Sequence, residues 1–139
     1  MTTVYIDSSV LLRKIFGESG AIQRLSDGKK VISSELLEVE CLRTVDRLRI
    51  QYGLSDEQVA MRSHELYSSF KKIGFLQLSS TILERAKTPF PTIIGSLDAI
   101  HLSSAVLWAE ETKEDILFLT HDLALGRAAL ALGFDVKGI

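Results

Sequence analysis

The sequence has little cysteine, little proline and no long apolar run, and each shortage excludes a class of protein. Its single cysteine, Cys41, excludes a disulfide within the chain and a zinc site built on several thiolates. Two prolines, with no segment rich in Gly and Ser, leave no visible linker, so we expect one domain over residues 1–139. No apolar run approaches the roughly 20 residues that span a bilayer. No basic segment precedes an apolar run at the start, so we expect no signal peptide, no membrane contact and a cytoplasmic location.

The sequence also lacks the basic excess that is typical of nucleic-acid binders. Lys and Arg number 16 against 18 Asp and Glu, which gives a net charge of −2. This balance does not exclude a nuclease, because bound cations can restore positive charge at the place where the substrate lies. Hydrophobic residues make up 46% of the chain and charged residues 24%, as in ordinary globular proteins with a substantial core.

What is present is an alternation of short apolar runs with longer helical patterns. Such alternation predicts an α/β fold, a three-layer sandwich in which helices cover both faces of a short parallel sheet. The predicted strands are Val4–Ile6, Lys30–Ser33, Phe75–Leu78, Ile116–Leu119 and Phe134–Val136, and the predicted helices are Val10–Phe16, Ala21–Leu25, Ser34–Tyr52, Ser55–Ile73, Ser79–Lys87, Ser96–Glu110 and Asp122–Leu132.

Two acidic residues follow predicted strands. Asp7 comes directly after the first strand, and Asp122 lies two residues beyond Thr120 at the end of Ile116–Leu119. Ligands of open α/β sheets bind beyond the carboxyl ends of the strands, so these acids would share one edge if their strands are neighbours. Asp is also a good helix N-cap, and each of the two could merely begin a helix.

Glu40 lies on the inward side of its predicted helix. The charged residues Glu35, Glu38, Asp46 and Arg49 fall on the opposite side at 3.6 residues per turn. A carboxylate that faces the protein body needs a partner. That partner could be a cation shared with other acids, or an ion pair with Arg43 or Arg47 on the same stripe.

Asp98 lies in the first turn of a helix that is apolar nearly all round. The helix dipole favours a negative charge there, so a dipole or capping role is the plain alternative to a functional one. His101, one turn later, could hydrogen-bond Asp98, although such a histidine is more often a satisfied core residue than a catalytic one.

Four carboxylates brought together would point to metal chemistry. Acids within about 4 Å of one another cannot all stay ionised without compensating charge. Oxygen-only ligands suit Mg²⁺ or Mn²⁺, as one or two ions, rather than zinc. Such ions activate water and neutralise charge on a phosphate, which predicts phosphodiester hydrolysis.

With these residues identified, the sequence resembles the PIN-domain family, and within it the VapC-type toxin ribonucleases. Four segments carry the resemblance in order: Val4 to Ser9 with Asp7, Ser34 to Arg43 with Glu40, Ser96 to Leu102 with Asp98, and Phe118 to Leu123 with Asp122. The resemblance extends over the whole chain, including the helix that follows Asp122.

The resemblance implies the following expectations. Asp7, Glu40, Asp98 and Asp122 are the metal-binding and catalytic acids. Thr120 and a serine after Asp7 (Ser8 or Ser9) support them, and the cofactor is Mg²⁺ or Mn²⁺. The substrate is RNA, the chain forms a homodimer, and a small antitoxin protein blocks the site. Arg43 and Arg47 are the candidates for contact with the RNA backbone.

Two other classes of function remain open. A phosphatase or receiver-like phosphoryl-transfer protein also places an Asp after a strand, but the phosphatase needs a second Asp where Ser9 stands. The receiver needs adjacent acids and a late Lys, which are missing. A non-catalytic RNA- or protein-binding PIN module is the second alternative, and the presence of all four acids argues against it.

Overall fold

A computed structural model describes residues 3–139, which form one sheet and six helices. The strands are β1 (Thr3–Ile6), β2 (Lys30–Ser34), β3 (Gly74–Leu76), β4 (Ile116–Leu119) and β5 (Asp135–Lys137). The helices are α1 (Ser8–Ile15), α2 (Leu36–Tyr52), α3 (Asp56–Phe70), α4 (Ser80–Ala86), α5 (Ser96–Thr112) and α6 (Leu123–Ala131).

All strand pairs are parallel, and the strand order is β3-β2-β1-β4-β5. The chain moves outward from β1 through β2 to β3, then returns to the other side of β1 with β4. The strand order therefore reverses between β1 and β4, and such a switch point opens a crevice at the carboxyl ends of the two strands.

Two hydrophobic clusters cover the two faces of the sheet. Alternate residues of the strands face opposite sides, so Val4 and Ile6 pack with α1, α2 and α3, whereas Tyr5 packs with α5 and α6. Every residue of β1 is buried, as expected for a strand covered on both faces. The predicted α/β three-layer sandwich is confirmed.

The structure differs from the sequence prediction in one element and in several boundaries. The predicted helix Ala21–Leu25 is wrong: this segment contains no helix and forms part of the loop between α1 and β2. Its apolar residues Ile22 and Leu25 pack against the α1–α3 side of the core as loop residues. Burial alone does not distinguish a packed loop from a short helix.

Across the described part of the chain, no helix combines the length and apolarity needed to cross a membrane.

Gly138 allows the chain after β5 to lie close to the end of β4. Its φ is +109°, and a Cβ atom there would lie 2.2 Å from the carbonyl oxygen of Thr120. The Gly138 carbonyl oxygen also lies 2.9 Å from His121 Nδ1, within hydrogen-bond distance. The close approach fixes the backbone of the turn that follows β4.

We predict that Gly138→Ala destabilises the protein more than Gly17→Ala. Both glycines have positive φ, which costs an alanine about 1–2 kcal/mol, but a Cβ at Gly17 would meet no atom within 4 Å. Urea denaturation of both variants checks the difference. Equal losses of the free energy of unfolding in the two variants would show that the Gly138 backbone can move away from Thr120 without cost.

Candidate active site

The site begins at the crevice between β1 and β4. Ile6 pairs with Leu119 in the parallel register, so Asp7 and Thr120 are the first residues beyond two neighbouring strands. The Asp7 amide donates to the Leu119 carbonyl at 3.4 Å. Asp122, two residues beyond Thr120, is the N-cap of α6. The structure therefore brings Asp7 and Asp122 to the same edge of the sheet.

Asp7 is a buried carboxylate, 4% exposed, whose two oxygens accept hydroxyl protons. Ser9 Oγ donates to Oδ1 at 2.6 Å, and Thr120 Oγ1 donates to Oδ2 at 2.9 Å. Burial raises the pKa of Asp7, while these hydrogen bonds and the nearby His101 act to lower it. Asp7 also accepts from the Val10 amide at 3.4 Å, so it caps α1 as well.

Thr120 and Ser9 connect Asp7 to the loop that carries Asp122. Thr120 Oγ1 accepts from the Asp122 amide at 3.0 Å, and Ser9 Oγ accepts from the His121 amide at 2.9 Å. Asp122 Oδ1 in turn caps α6 by accepting from the Leu125 amide at 3.0 Å. Asp7 and Asp122 therefore each cap a helix and also contribute a carboxylate to the site. Ser8 is the half-buried first residue of α1.

Glu40 reaches this region from α2, and its side chain is only 18% exposed. It faces inward, as the helix pattern predicts. Of the two alternatives for its partner, the ion pair with Arg43 or Arg47 does not form, and Glu40 Oε1 lies 2.5 Å from His101 Nε2 instead. Arg43 is exposed and pairs with Asp46 at 3.0 Å, and Arg47 is exposed.

The sequence reasoning missed Tyr5 as a site neighbour, and it missed the contact of His101 with Glu40. His101 is 1% exposed, and its Nδ1 lies 2.8 Å from the Tyr5 hydroxyl, which accepts from the Ser34 amide at 3.2 Å. His101 therefore contacts Glu40 and Tyr5 rather than bonding Asp98. One signal was available: Tyr5 lies two residues before Asp7 in a buried strand, and a buried tyrosine needs a polar partner.

Asp98 lies in the first turn of α5 and is half-buried. The N-cap of α5 is Gly95, and no side chain caps the helix. Burial and the negative charges of Asp122, Asp7 and Glu40 raise the pKa of Asp98 to about 6, against the lowering effect of His101. The other three acids thus lie close enough to Asp98 to oppose its ionisation.

The residues fit a divalent cation by their chemistry. Carboxylates are the ligands preferred by Mg²⁺ and Mn²⁺. Burial and then the charges of Asp122, Asp7 and Glu40 raise the pKa of Asp98, and a bound cation would offset both effects. Within residues 3–139, however, no three His, Cys, Asp or Glu side chains are already gathered in a geometry that holds a metal ion.

Comparison with known proteins identifies the family. The PIN-domain family model matches residues 4–130. The chain belongs to the PIN-domain family. PIN domains are in general nucleases that use divalent metal ions. No curated protein matches this PIN domain.

A solved structure agrees with this fold. A chain from the crystal structure of VapBC2 from Rickettsia felis, bound to a DNA fragment from their promoter, superposes on this PIN domain with a TM-score of 0.61. The match covers 97% of each chain at 13% sequence identity. At that identity the likeness concerns the fold alone.

We predict that Thr120→Val destabilises this PIN domain by about 1–3 kcal/mol, the usual cost of leaving buried polar groups unpaired. The substitution keeps the shape of the side chain but removes the hydroxyl that donates to Asp7 and accepts from Asp122. Urea denaturation gives the free energy of unfolding. Thr120→Ser is the matched control, because it keeps the hydroxyl and loses one methyl group, worth about 1 kcal/mol. A valine variant as stable as wild type would contradict the assigned role.

We predict that Asp98 makes the metal-free protein less stable as pH rises from about 4 to 6. The pKa of Asp98 is raised from 3.8 to about 6 in the folded state, so the folded protein binds its proton more tightly than the unfolded chain. Stability from a raised carboxyl pKa is present at low pH and is lost as the group ionises. Asp98→Asn should therefore gain stability over wild type progressively across this range.

Urea denaturation in EDTA at several pH values between 4 and 7 measures that gain. Asp135→Asn, which removes an exposed charge on β5, is the control for the loss of one negative charge. A difference between Asp98→Asn and wild type that does not change with pH would contradict the prediction.

Proposed function

We propose that this PIN domain is a metal-dependent endoribonuclease of the VapC toxin type, acting as a single domain. The observation that carries the proposal is the closeness of the four acids at the switch point of the sheet, where Asp122, Asp7 and Glu40 oppose the ionisation of Asp98. Acids placed so that they repel one another are useful where cations occupy the site.

In this proposal Asp7, Glu40 and Asp98 hold Mg²⁺ or Mn²⁺, and Asp122 adds a fourth negative charge beside them. A cation held by these residues would supply water activation and would neutralise charge on the phosphate. Hydrolysis of the RNA phosphodiester then leaves a 5′-phosphate and a 3′-hydroxyl. The chain's own contribution is to hold the carboxylates in place, with Ser9 and Thr120 orienting Asp7 and Ser8 adjacent to it.

Arg43 and Arg47 are proposed to contact the RNA backbone. Both are exposed on α2, one and two turns beyond Glu40. Contacts of this kind release counterions, so RNA affinity should weaken as salt rises.

The partners follow from the VapC-type assignment. The solved relative from Rickettsia felis is VapBC2 bound to a DNA fragment from their promoter. We propose that this chain likewise meets a small antitoxin protein, that it forms a homodimer, and that it acts in the cytoplasm. A short neighbouring gene that encodes a DNA-binding segment followed by an apolar tail would support the pair.

The alternative of an aspartyl-phosphate enzyme receives no support from the site. A phosphatase of that class needs a second Asp at the position of Ser9, and in the structure Ser9 Oγ instead donates to Asp7 Oδ1 at 2.6 Å. A non-catalytic binding module would have no need to keep three acids that oppose the ionisation of Asp98.

We predict that the purified protein cleaves RNA with Mg²⁺ or Mn²⁺ and not in EDTA, and that Asp7→Asn abolishes cleavage. Asn keeps the size of the side chain but removes the negative charge that holds the cation. Mapping of the cut ends on a labelled RNA tests the products. Circular dichroism checks that Asp7→Asn is folded.

The matched control is Asp135→Asn, which makes the same chemical change on the exposed strand β5. It should cleave at the wild-type rate. Folded Asp7→Asn that cleaves as fast as wild type, or cleavage that persists in EDTA, would refute the proposal.

A further inference from the structure

A buried chain of polar contacts joins Glu40 to the backbone at the end of β2. It runs from Glu40 Oε1 to His101 Nε2 at 2.5 Å, and from His101 Nδ1 to the Tyr5 hydroxyl at 2.8 Å. It ends at the Ser34 amide, 3.2 Å from the same hydroxyl. This series of contacts crosses from one face of the sheet to the other, because Glu40 belongs to α2 on one face and His101 to α5 on the other.

The chemistry of the groups fixes part of the proton arrangement. An ionised carboxylate only accepts, so Nε2 of His101 must carry the proton that binds Glu40. The Ser34 amide donates to the Tyr5 oxygen, which leaves the Tyr5 proton free to be donated to Nδ1. The nearby hydroxyls of Ser33 and Ser104 donate their own protons to the carbonyls of Ile6 and Ile100.

Packing holds the rings of Tyr5 and His101 in place. Tyr5 is fully buried and stacks on Phe118, with ring centroids 5.0 Å apart. The ring of His101 meets Tyr5 edge-on at 5.9 Å between centroids. Neither ring can rotate without disturbing a close-packed core, so the position of Nε2 is set by the fold.

Glu40 needs such support more than the aspartates do. A glutamate side chain has one more rotatable bond than an aspartate, and ordering it costs more conformational entropy. Asp7 is held by two hydroxyls and Asp122 by its capping bond. For Glu40, the His101 contact is the one side-chain hydrogen bond within residues 3–139, and it uses Oε1 alone.

We propose that His101, tethered by Tyr5, is a positioning residue that fixes the carboxylate of Glu40 for cation binding and leaves Oε2 free for the ion. This inference rests on the proposed function, since it assigns Glu40 to the metal. Residues that hydrogen-bond to metal ligands typically contribute 10–100-fold to metal affinity. Loss of the His101 contact should therefore weaken cation binding before any RNA is present.

Two substitutions separate the Glu40 contact from the Tyr5 contact. The amide nitrogen of Gln lies about as far along the side chain as Nε2 of histidine, whereas that of Asn corresponds to Nδ1. His101→Gln can still donate to Glu40, and His101→Asn can reach only Tyr5. We expect about tenfold or weaker Mn²⁺ affinity for His101→Asn, and affinity within about threefold of wild type for His101→Gln.

Calorimetric titration of the RNA-free proteins with Mn²⁺ measures this difference. In cleavage assays, saturating Mn²⁺ should then restore much of the kcat of His101→Asn, and the KM for RNA should be unchanged. A purely structural role would lower the thermal stability of both variants without separating their Mn²⁺ affinities. Equal Mn²⁺ affinity of wild type and folded His101→Asn would overturn the inference.

A measurement on the metal-free wild type avoids any variant that fails to fold. Nitrogen-15 NMR of the His101 ring should show a proton on Nε2 that is protected from solvent exchange, and Tyr5→Phe should lose part of that protection. A ring protonated on Nδ1 alone would overturn the inference. Wild type that binds no Mn²⁺ and cleaves no RNA would instead refute the proposed function, whatever the NMR result.

Discussion

The site depends on keeping a carboxylate charged where water is nearly excluded. Asp7 is buried beyond the central strand, and burial raises its pKa. An isolated buried carboxylate would take up a proton. The hydroxyls of Ser9 and Thr120 act against that tendency by donating to both oxygens. Because Thr120 directly follows β4, the charge of Asp7 depends on the pairing of β1 with β4.

The remaining acids reach the same edge by different routes. Asp122 follows β4 in sequence, whereas Glu40 and Asp98 come from helices on opposite faces of the sheet. Each route has its own restraint: a capping bond for Asp122, the His101 contact for Glu40 and the first helical turn for Asp98. Burial and the negative charges of the other acids raise the pKa of Asp98, and both effects favour a bound cation.

Most of the fold was predictable from the sequence, because strands buried on both faces produce short, continuous apolar runs such as those of β1 and β4. The inward direction of Glu40 followed from helical periodicity alone. Its partner did not, because His101 is distant in sequence and meets it only through the tertiary fold. The helix predicted for Ala21–Leu25 is wrong for a related reason: its apolar side chains, Ile22 and Leu25, pack partly buried against the α1–α3 side of the core from within a loop.

The adjacency of β1 and β4 also orders events during synthesis of the chain. Asp7 is synthesised 113 residues before Thr120, whose hydroxyl donates a hydrogen bond to it. A growing polypeptide that lacks β4 therefore contains neither the crevice nor Asp122. For a protein proposed to cut RNA, this late assembly would keep the nascent chain harmless to the message from which it is being translated.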